Sequence, residues 1–311
     1  MLIETRIGGF LLSADMRSGV DASISVAPYD AEHLQPSTFD LPFAAAAPFH
    51  AGDFTASVDS GASINCAVIS SLCAHSNGTH TECVGHVLPG CVTLGGLAAS
   101  FGPPGGLFPA VLLSVRPETL AESGDDYGIA GEGEDRVISF RSISRALDTL
   151  ASRFSALHGG DGVFAGAPHA LLAAGGALCL RTIPNTSLKR SARWKGTKAP
   201  YLTPAALSLV LALGACHIAV DLPSLDREED GGALLSHRMW WALPLKGEQN
   251  ARQNTPAAEA AARGARRLIT ELAFFPDKCE DDIYLLNVAV APIDMDAAPS
   301  RLTLHALSFV L

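Results

Sequence analysis

Charge is scarce in this chain. Only 17% of its 311 residues are Asp, Glu, Lys or Arg, and no long run carries one sign. The 32 acidic residues outnumber the 22 basic ones, giving a net charge of −10. Nucleic-acid binding depends on a basic face that neutralises phosphates, so this balance argues against it. An anionic membrane surface is a poor partner for the same reason. The N-terminus, Met1-Leu2-Ile3-Glu4-Thr5-Arg6, lacks the long apolar core of a secretion signal. None of the 7 cysteines forms a C-x-x-C pair, and Cys66, Cys73, Cys83 and Cys91 are spaced too loosely for a zinc knuckle. Reduced, buried thiols in a cytoplasmic protein are the expectation. Internal repeats and linker-like stretches are missing too, so residues 1–311 read as one domain.

What the chain does have is apolar surface to bury: 48% of its residues are hydrophobic. Two uncharged stretches, 162–180 and 200–220, must be weighed against a membrane span. The first holds Pro168, His169 and several glycines, so its apolar residues are mostly small. In the second, Thr203 reads as an N-cap with Pro204 in the first turn, residues 205–213 as an apolar helix and Gly214 as its stop. A buried strand over His217–Asp221 follows. Helix plus strand is the expectation, not a span. Further strands are expected over 20–28, 63–71, 105–116, 176–183, 283–291 and 301–311. Residues 141–157 have helical spacing, with Ile143, Leu147, Leu150 and Phe154 on one face. The polar, Ala-rich residues from 245 to 258 predict a surface excursion leading into a helix that ends near Arg267. Helices and strands interleave, which predicts an α/β architecture around one sheet system.

The densest chemistry lies between His75 and His86, where His75, His80, Glu82 and His86 set metal-ligand types close together around Gly78 and Gly85. Imidazole with carboxylate suits zinc, manganese or iron, whereas calcium prefers oxygen alone. If residues 79–82 are extended, His80 and Glu82 point to the same side and reach one ion. Gly85 lets the chain fold back and bring His86 near. A lone H-x-E is by default an ordinary polar turn, so the rest of the chain must decide. Cys83 offers a rival chemistry as a thiolate nucleophile, but the sequence shows no environment that would activate it.

On Gly78-Thr79-His80, the acid at 82 and His86, this stretch resembles the metal-dependent cyclase family that includes kynurenine formamidase and isatin hydrolase. That family's signature reads H-x-G-T-H-x-D-x-P-x-H. Ser76 stands here for the first histidine, Glu82 for aspartate and Val84 for proline. Further matches follow in order. Tyr201–Leu207, Gly214 and Asp221-Leu-Pro-Ser-Leu-Asp226 resemble the family's helix, strand and D-x-P-S-x-D turn. His237, Ile269-Thr270-Glu271-Leu272 and Pro299-Ser300-Arg301 come after them.

The resemblance implies a single swivelling β/β/α domain with a mixed central β-sheet flanked by helices, in which residues 243–266 are an insertion. It implies Zn2+ or Mn2+ held by His80, Glu82, His237 and Glu271, with His86 as general base and then acid. An open position on such an ion activates water. The substrate class implied is a small-molecule amide, an N-formyl aryl amine or a lactam-like ring, and the assembly a homodimer or larger homo-oligomer. Several positions carry two readings. His75 is a further ligand or part of the pocket wall, and Ser76 lies beside the ligands or the substrate. Glu271 is a ligand or a cap. Asp226 orients a ligating imidazole or belongs to a solvated turn. Arg181 recognises a substrate carboxylate or pairs with an internal acid. A different functional class stays open as well, a small-molecule binding protein on the same fold that does not hydrolyse.

Overall fold

The structure is a computed structural model that describes residues 1–88, 92–101, 105–128, 131–157, 160, 162–246, 264 and 266–310. Eight strands form its main sheet: β1 (Val20–Asp21), β2 (His80–Glu82), β3 (Gly105–Val115), β4 (Ala177–Thr182), β5 (His217–Val220), β6 (Leu268–Glu271), β7 (Asp282–Val290) and β8 (Ala297–Ala306). The order is β7-β3-β4-β5-β6-β2-β8-β1, and β7 also pairs with β8. Seven strands therefore close into a ring and β1 hangs on β8. Neighbours from β3 through β6 run parallel, while β6–β2, β2–β8, β8–β7 and β7–β3 are antiparallel. The architecture is α/β with a mixed sheet flanked by helices.

Period-two alternation sorts the strand residues between two cores. Val111, Leu113, Leu178, Leu180, Ile218 and Val220 face outward into one apolar cluster. Ala110, Leu112, Ala177, Cys179 and Ala219 face inward with Leu286 and Leu304. Small residues on the parallel strands leave room for the larger ones opposite, as a narrow ring requires. Helix α1 (Phe140–Leu157) covers the outer face with Ile143, Leu147, Leu150 and Phe154, all buried. The shorter α2 (Ala167–Ala173) and α3 (Pro204–Ala212) pack on the same cluster. Thr203 Oγ1 accepts from Ala206 N at 3.1 Å, which makes it the N-cap of α3, and Gly214 follows the helix at φ 87°. Among the described residues no helix is long and apolar enough to cross a membrane.

Three strand expectations change. The strand expected over 20–28 is only β1, because Asp21 turns its carboxylate onto Ser23 N and Thr79 Oγ1 takes Ile24 N, ending the ladder. Within 63–71 only Ala67–Ser70 forms a strand, exposed at all four residues and paired with Ala45–Pro48. The last strand begins at Ala297 rather than 301 and stops at Ala306; Ser308–Phe309 then joins a separate small sheet beside Phe10–Asp15. Most of the insertion expected over 243–266, with its helix, lies outside the described residues.

Candidate metal centre

β2 is three residues long, yet it is paired on both sides. Its register sets His80 against Glu271 of β6 and Pro299 of β8, Thr81 against Thr270 and Ala298, and Glu82 against Ile269 and Ala297. By alternation His80, Glu82 and Glu271 share the outer face of the ring with Ile269, while Thr81 and Thr270 share the inner one. Inside, Thr81 and Thr270 hydroxyls bond at 2.7 Å, and His217 Nε2 meets Thr270 Oγ1 at 2.8 Å. Two glycines flank the strand where a β-carbon would strike backbone: the carbonyl of Ile24 at Gly78 and that of Val92 at Gly85. That close approach lets the turn Val84–His86 bring His86 Nδ1 to 3.9 Å from Glu82 Oε2.

His237 arrives on the short helix α4 (Leu235–Trp240). One carboxylate positions it. Asp226 Oδ1 accepts from Ser236 N at 2.5 Å and Tyr127 OH at 3.1 Å, and Oδ2 accepts from His237 N at 3.1 Å and meets His237 Nδ1 at 2.5 Å. With Nδ1 so engaged, His237 Nε2 faces Glu82 Oε1 at 2.8 Å and Glu271 Oε1 at 3.5 Å. Glu271 Oε1 also accepts from Leu225 N at 2.9 Å, and its Oε2 stands 3.6 Å from His80 Nε2. The next residue, Leu272, holds a left-handed φ of 51°, fixed by its N–H to Leu222 O at 2.9 Å and by Thr79 Oγ1 to its carbonyl at 2.5 Å. Such a backbone is unfavourable for leucine by about 1–2 kcal/mol. It persists because both bonds hold it.

Burial and charge pull the site in opposite directions. Desolvation alone pushes the Glu82 carboxyl up, but the imidazoles of His86 and His237 overcome it and hold the group well below the usual carboxylate range. Glu271 is opposed by its burial and by Glu82, yet His237 and His80 draw it down as well. Desolvation works against protonation of His237, and Glu82 and Asp226 reverse that, raising it well above the ordinary value. His75 follows the same logic at the rim: burial lowers it, while Asp296 and Glu82 take it up to about 10. Buried carboxylates are thus answered here by protons on imidazoles, a charge that a divalent cation supplies equally well.

The residues fit such an ion. The ligand atoms of His80, Glu82 and Glu271 lie within 4.8 Å of one another, as do those of His75, Glu82 and His86. His80 Nε2 and Glu82 Oε2 are buried and make no hydrogen bond among the described residues. Orphaned buried polar atoms are rare and unfavourable by roughly 1–3 kcal/mol each. His80 Nδ1 is meanwhile taken by the Gly78 carbonyl at 3.1 Å, which points Nε2 at the cluster. Two imidazoles with two carboxylates form a borderline set, suited to zinc or manganese.

The structure thus brings together His75, His80, Glu82, His86, His237 and Glu271, with Asp226 behind His237. Ser76 is buried with its hydroxyl turned away onto Thr38 N at 3.0 Å. Arg181 bonds to Ser114, to the carbonyls of Pro276 and Cys279 and to Asp281 at 3.2 Å, none of them members of the cluster. Cys83 is buried and its thiol is pushed up to about 11, mainly by that burial, which removes the thiolate a nucleophile needs. Sequence reasoning missed Asp296, whose carboxylate accepts from both His75 and His86. Its only signal was its place just before a strand, and that this strand pairs with β2 is not legible locally.

No family model matches the chain, and no curated protein does. Solved structures do. One, described as a potential metal-dependent hydrolase with cyclase activity, is 13% identical with a TM-score of 0.50, over 93% of this chain and 97% of that one. A predicted metal-dependent hydrolase from Bacillus stearothermophilus is 14% identical with a TM-score of 0.47, over 93% and 98%. An isatin hydrolase bound to the product analogue thioisatinate is 12% identical with a TM-score of 0.48, over 94% and 93%. At 13% identity and a TM-score of 0.50, the first likeness shows a shared fold.

Proposed function

We propose that the protein is a metal-dependent hydrolase that cleaves an amide bond in a small molecule. The observation that carries this reading is the pair of orphaned buried atoms, His80 Nε2 and Glu82 Oε2, both belonging to ligand sets of matching chemistry. His80, Glu82, His237 and Glu271 would hold the ion, with His75 beside them. When bound, zinc or manganese supplies Lewis-acid polarisation of a carbonyl and activation of water at neutral pH.

The chain's own residues do the rest. His86 is only partly buried, and Asp296 engages its Nδ1, so Nε2 is the nitrogen that would carry the proton. It is the residue to take a proton from the attacking water and return one to the departing nitrogen. Asp226 fixes the His237 ring, and the Trp241 ring packs 5.6 Å from it, shielding that side from water. The substrate class, an N-formyl aryl amine or a small lactam, rests on the sequence resemblance. So does self-association. Val68 and Ile69, on the exposed strand Ala67–Ser70, and the nearby Phe49 and Phe54 are exposed apolar residues of the kind that partner copies cover.

The test is elemental analysis of protein purified without a metal-binding tag, followed by turnover of N-formyl aryl amides and small lactams with added zinc or manganese. Near-stoichiometric metal with turnover, both lost in His80→Ala, supports the reading. Metal-free protein that binds small aromatic compounds without turnover supports the binding-protein alternative. No metal after incubation with either ion overturns the proposal.

A further inference from the structure

In the hydrolysis as described Asp296 only engages the ring of His86, yet two imidazoles converge on it. Its Oδ2 meets His75 Nε2 at 3.1 Å and His86 Nδ1 at 3.2 Å, and the two rings lie 4.4 Å apart. Its backbone carbonyl accepts from Cys83 N at 3.0 Å, so the Asp296 main chain is tied to the ligand-bearing turn as well. An imidazole offers a metal one nitrogen, and the hydrogen bond at the other nitrogen decides which. In His75 the outer nitrogen, Nε2, is the one engaged by Asp296. The inner nitrogen, Nδ1, stands 3.3 Å from Glu82 Oε2, an oxygen without a hydrogen bond among the described residues. Position 76 contributes nothing there, because Ser76 is spent on Thr38.

Building on the metal-dependent reading above, we propose that Asp296 is a positioning residue that holds His75 with Nδ1 toward Glu82, making His75 the ion ligand that position 76 does not supply. An ion pair at the rim with no such role would have the same distances. It would, however, be indifferent to metal.

Zinc affinity separates the two, measured on the full chain by competition with a chromogenic chelator. We expect Asp296→Ala and His75→Ala each to weaken zinc binding ten- to a hundredfold, the range for loss of a carboxylate behind a ligating histidine. Because Asp296 acts through the His75 ring, the double variant should bind no more weakly than His75→Ala alone. Asp296→Asn keeps the size and one acceptor and should recover part of the loss, which also covers the case in which Asp296→Ala does not fold. Parent-like affinity in Asp296→Ala overturns the inference alone. So does a loss that persists undiminished in the His75→Ala background. A parent protein that binds no zinc overturns the metallohydrolase reading, and this inference with it.

Discussion

Glu82 carries more of the site than any other residue, since its two oxygens meet His237 on one side and His75 and His86 on the other. Glu82→Gln keeps the shape and removes the charge, so zinc content after dialysis should fall from near one ion per chain to near none; retained zinc would remove Glu82 from the ligand set. On the inner face of the ring, His217 of β5 is fully buried, and burial alone takes its imidazole down to about 3. An unfolded histidine titrates near 6.5, so below that pH the unfolded chain binds a proton that the folded chain refuses. This residue's contribution is therefore intact above pH 6.5 and is lost as pH falls toward 3, by about 1.4 kcal/mol per unit at the steepest. Urea unfolding at pH 7 and pH 5 should show the parent losing about 2 kcal/mol more over that interval than His217→Gln. Equal losses would show that His217 titrates freely in the fold.

Among the elements, α1 is where sequence and structure agree most closely. Ile143, Leu147, Leu150 and Phe154 were legible because a helix against a sheet buries one stripe, and the stripe is written at helical spacing. Leu147→Ala should cost about 2–5 kcal/mol of unfolding free energy in urea titrations, since it removes buried methyl groups and leaves a cavity. The cap of α3 was legible too, and Thr203→Ala should cost about 1 kcal/mol by the same measurement. The turn after β5 was legible only as a motif. Its Asp221 is fully buried against Lys189 Nζ at 2.6 Å, with Thr182 completing the cage. Lys189→Met strands that carboxylate and should destabilise by about 3–5 kcal/mol. Strand ends were read less well, because β1 is cut short where Ser23 N and Ile24 N donate to Asp21 and Thr79, the latter 55 residues from Ile24.

For the molecule as a whole, the ligands come from three separated places: the turn around residue 80, α4 and the end of β6. An ion that binds them is bound by the closed ring and not by the open chain, so its binding energy adds to folding. At a free zinc concentration a hundred times the dissociation constant, the gain should be about 2.7 kcal/mol. Thermal melts of the parent with and without zinc should show that rise, and His80→Ala should show little of it. An unchanged midpoint in the parent would mean that zinc binds the unfolded chain as well.

The sequence by itself determined the α/β alternation, the buried stripe of α1, the helix-then-strand unit over residues 203–220 and the identity of the ligand-type residues. Each of these is set by neighbours a few positions away, through side-chain periodicity, caps and glycine turns. Tertiary structure decided which of those residues meet. Ser76 turns to Thr38 and Arg181 to Asp281, 38 and 100 residues away, and the place of Asp296 across from His75 and His86 follows from strand register and closure of the ring. Pairing partners there are separated by more than two hundred residues, and no local pattern encodes a contact at that range.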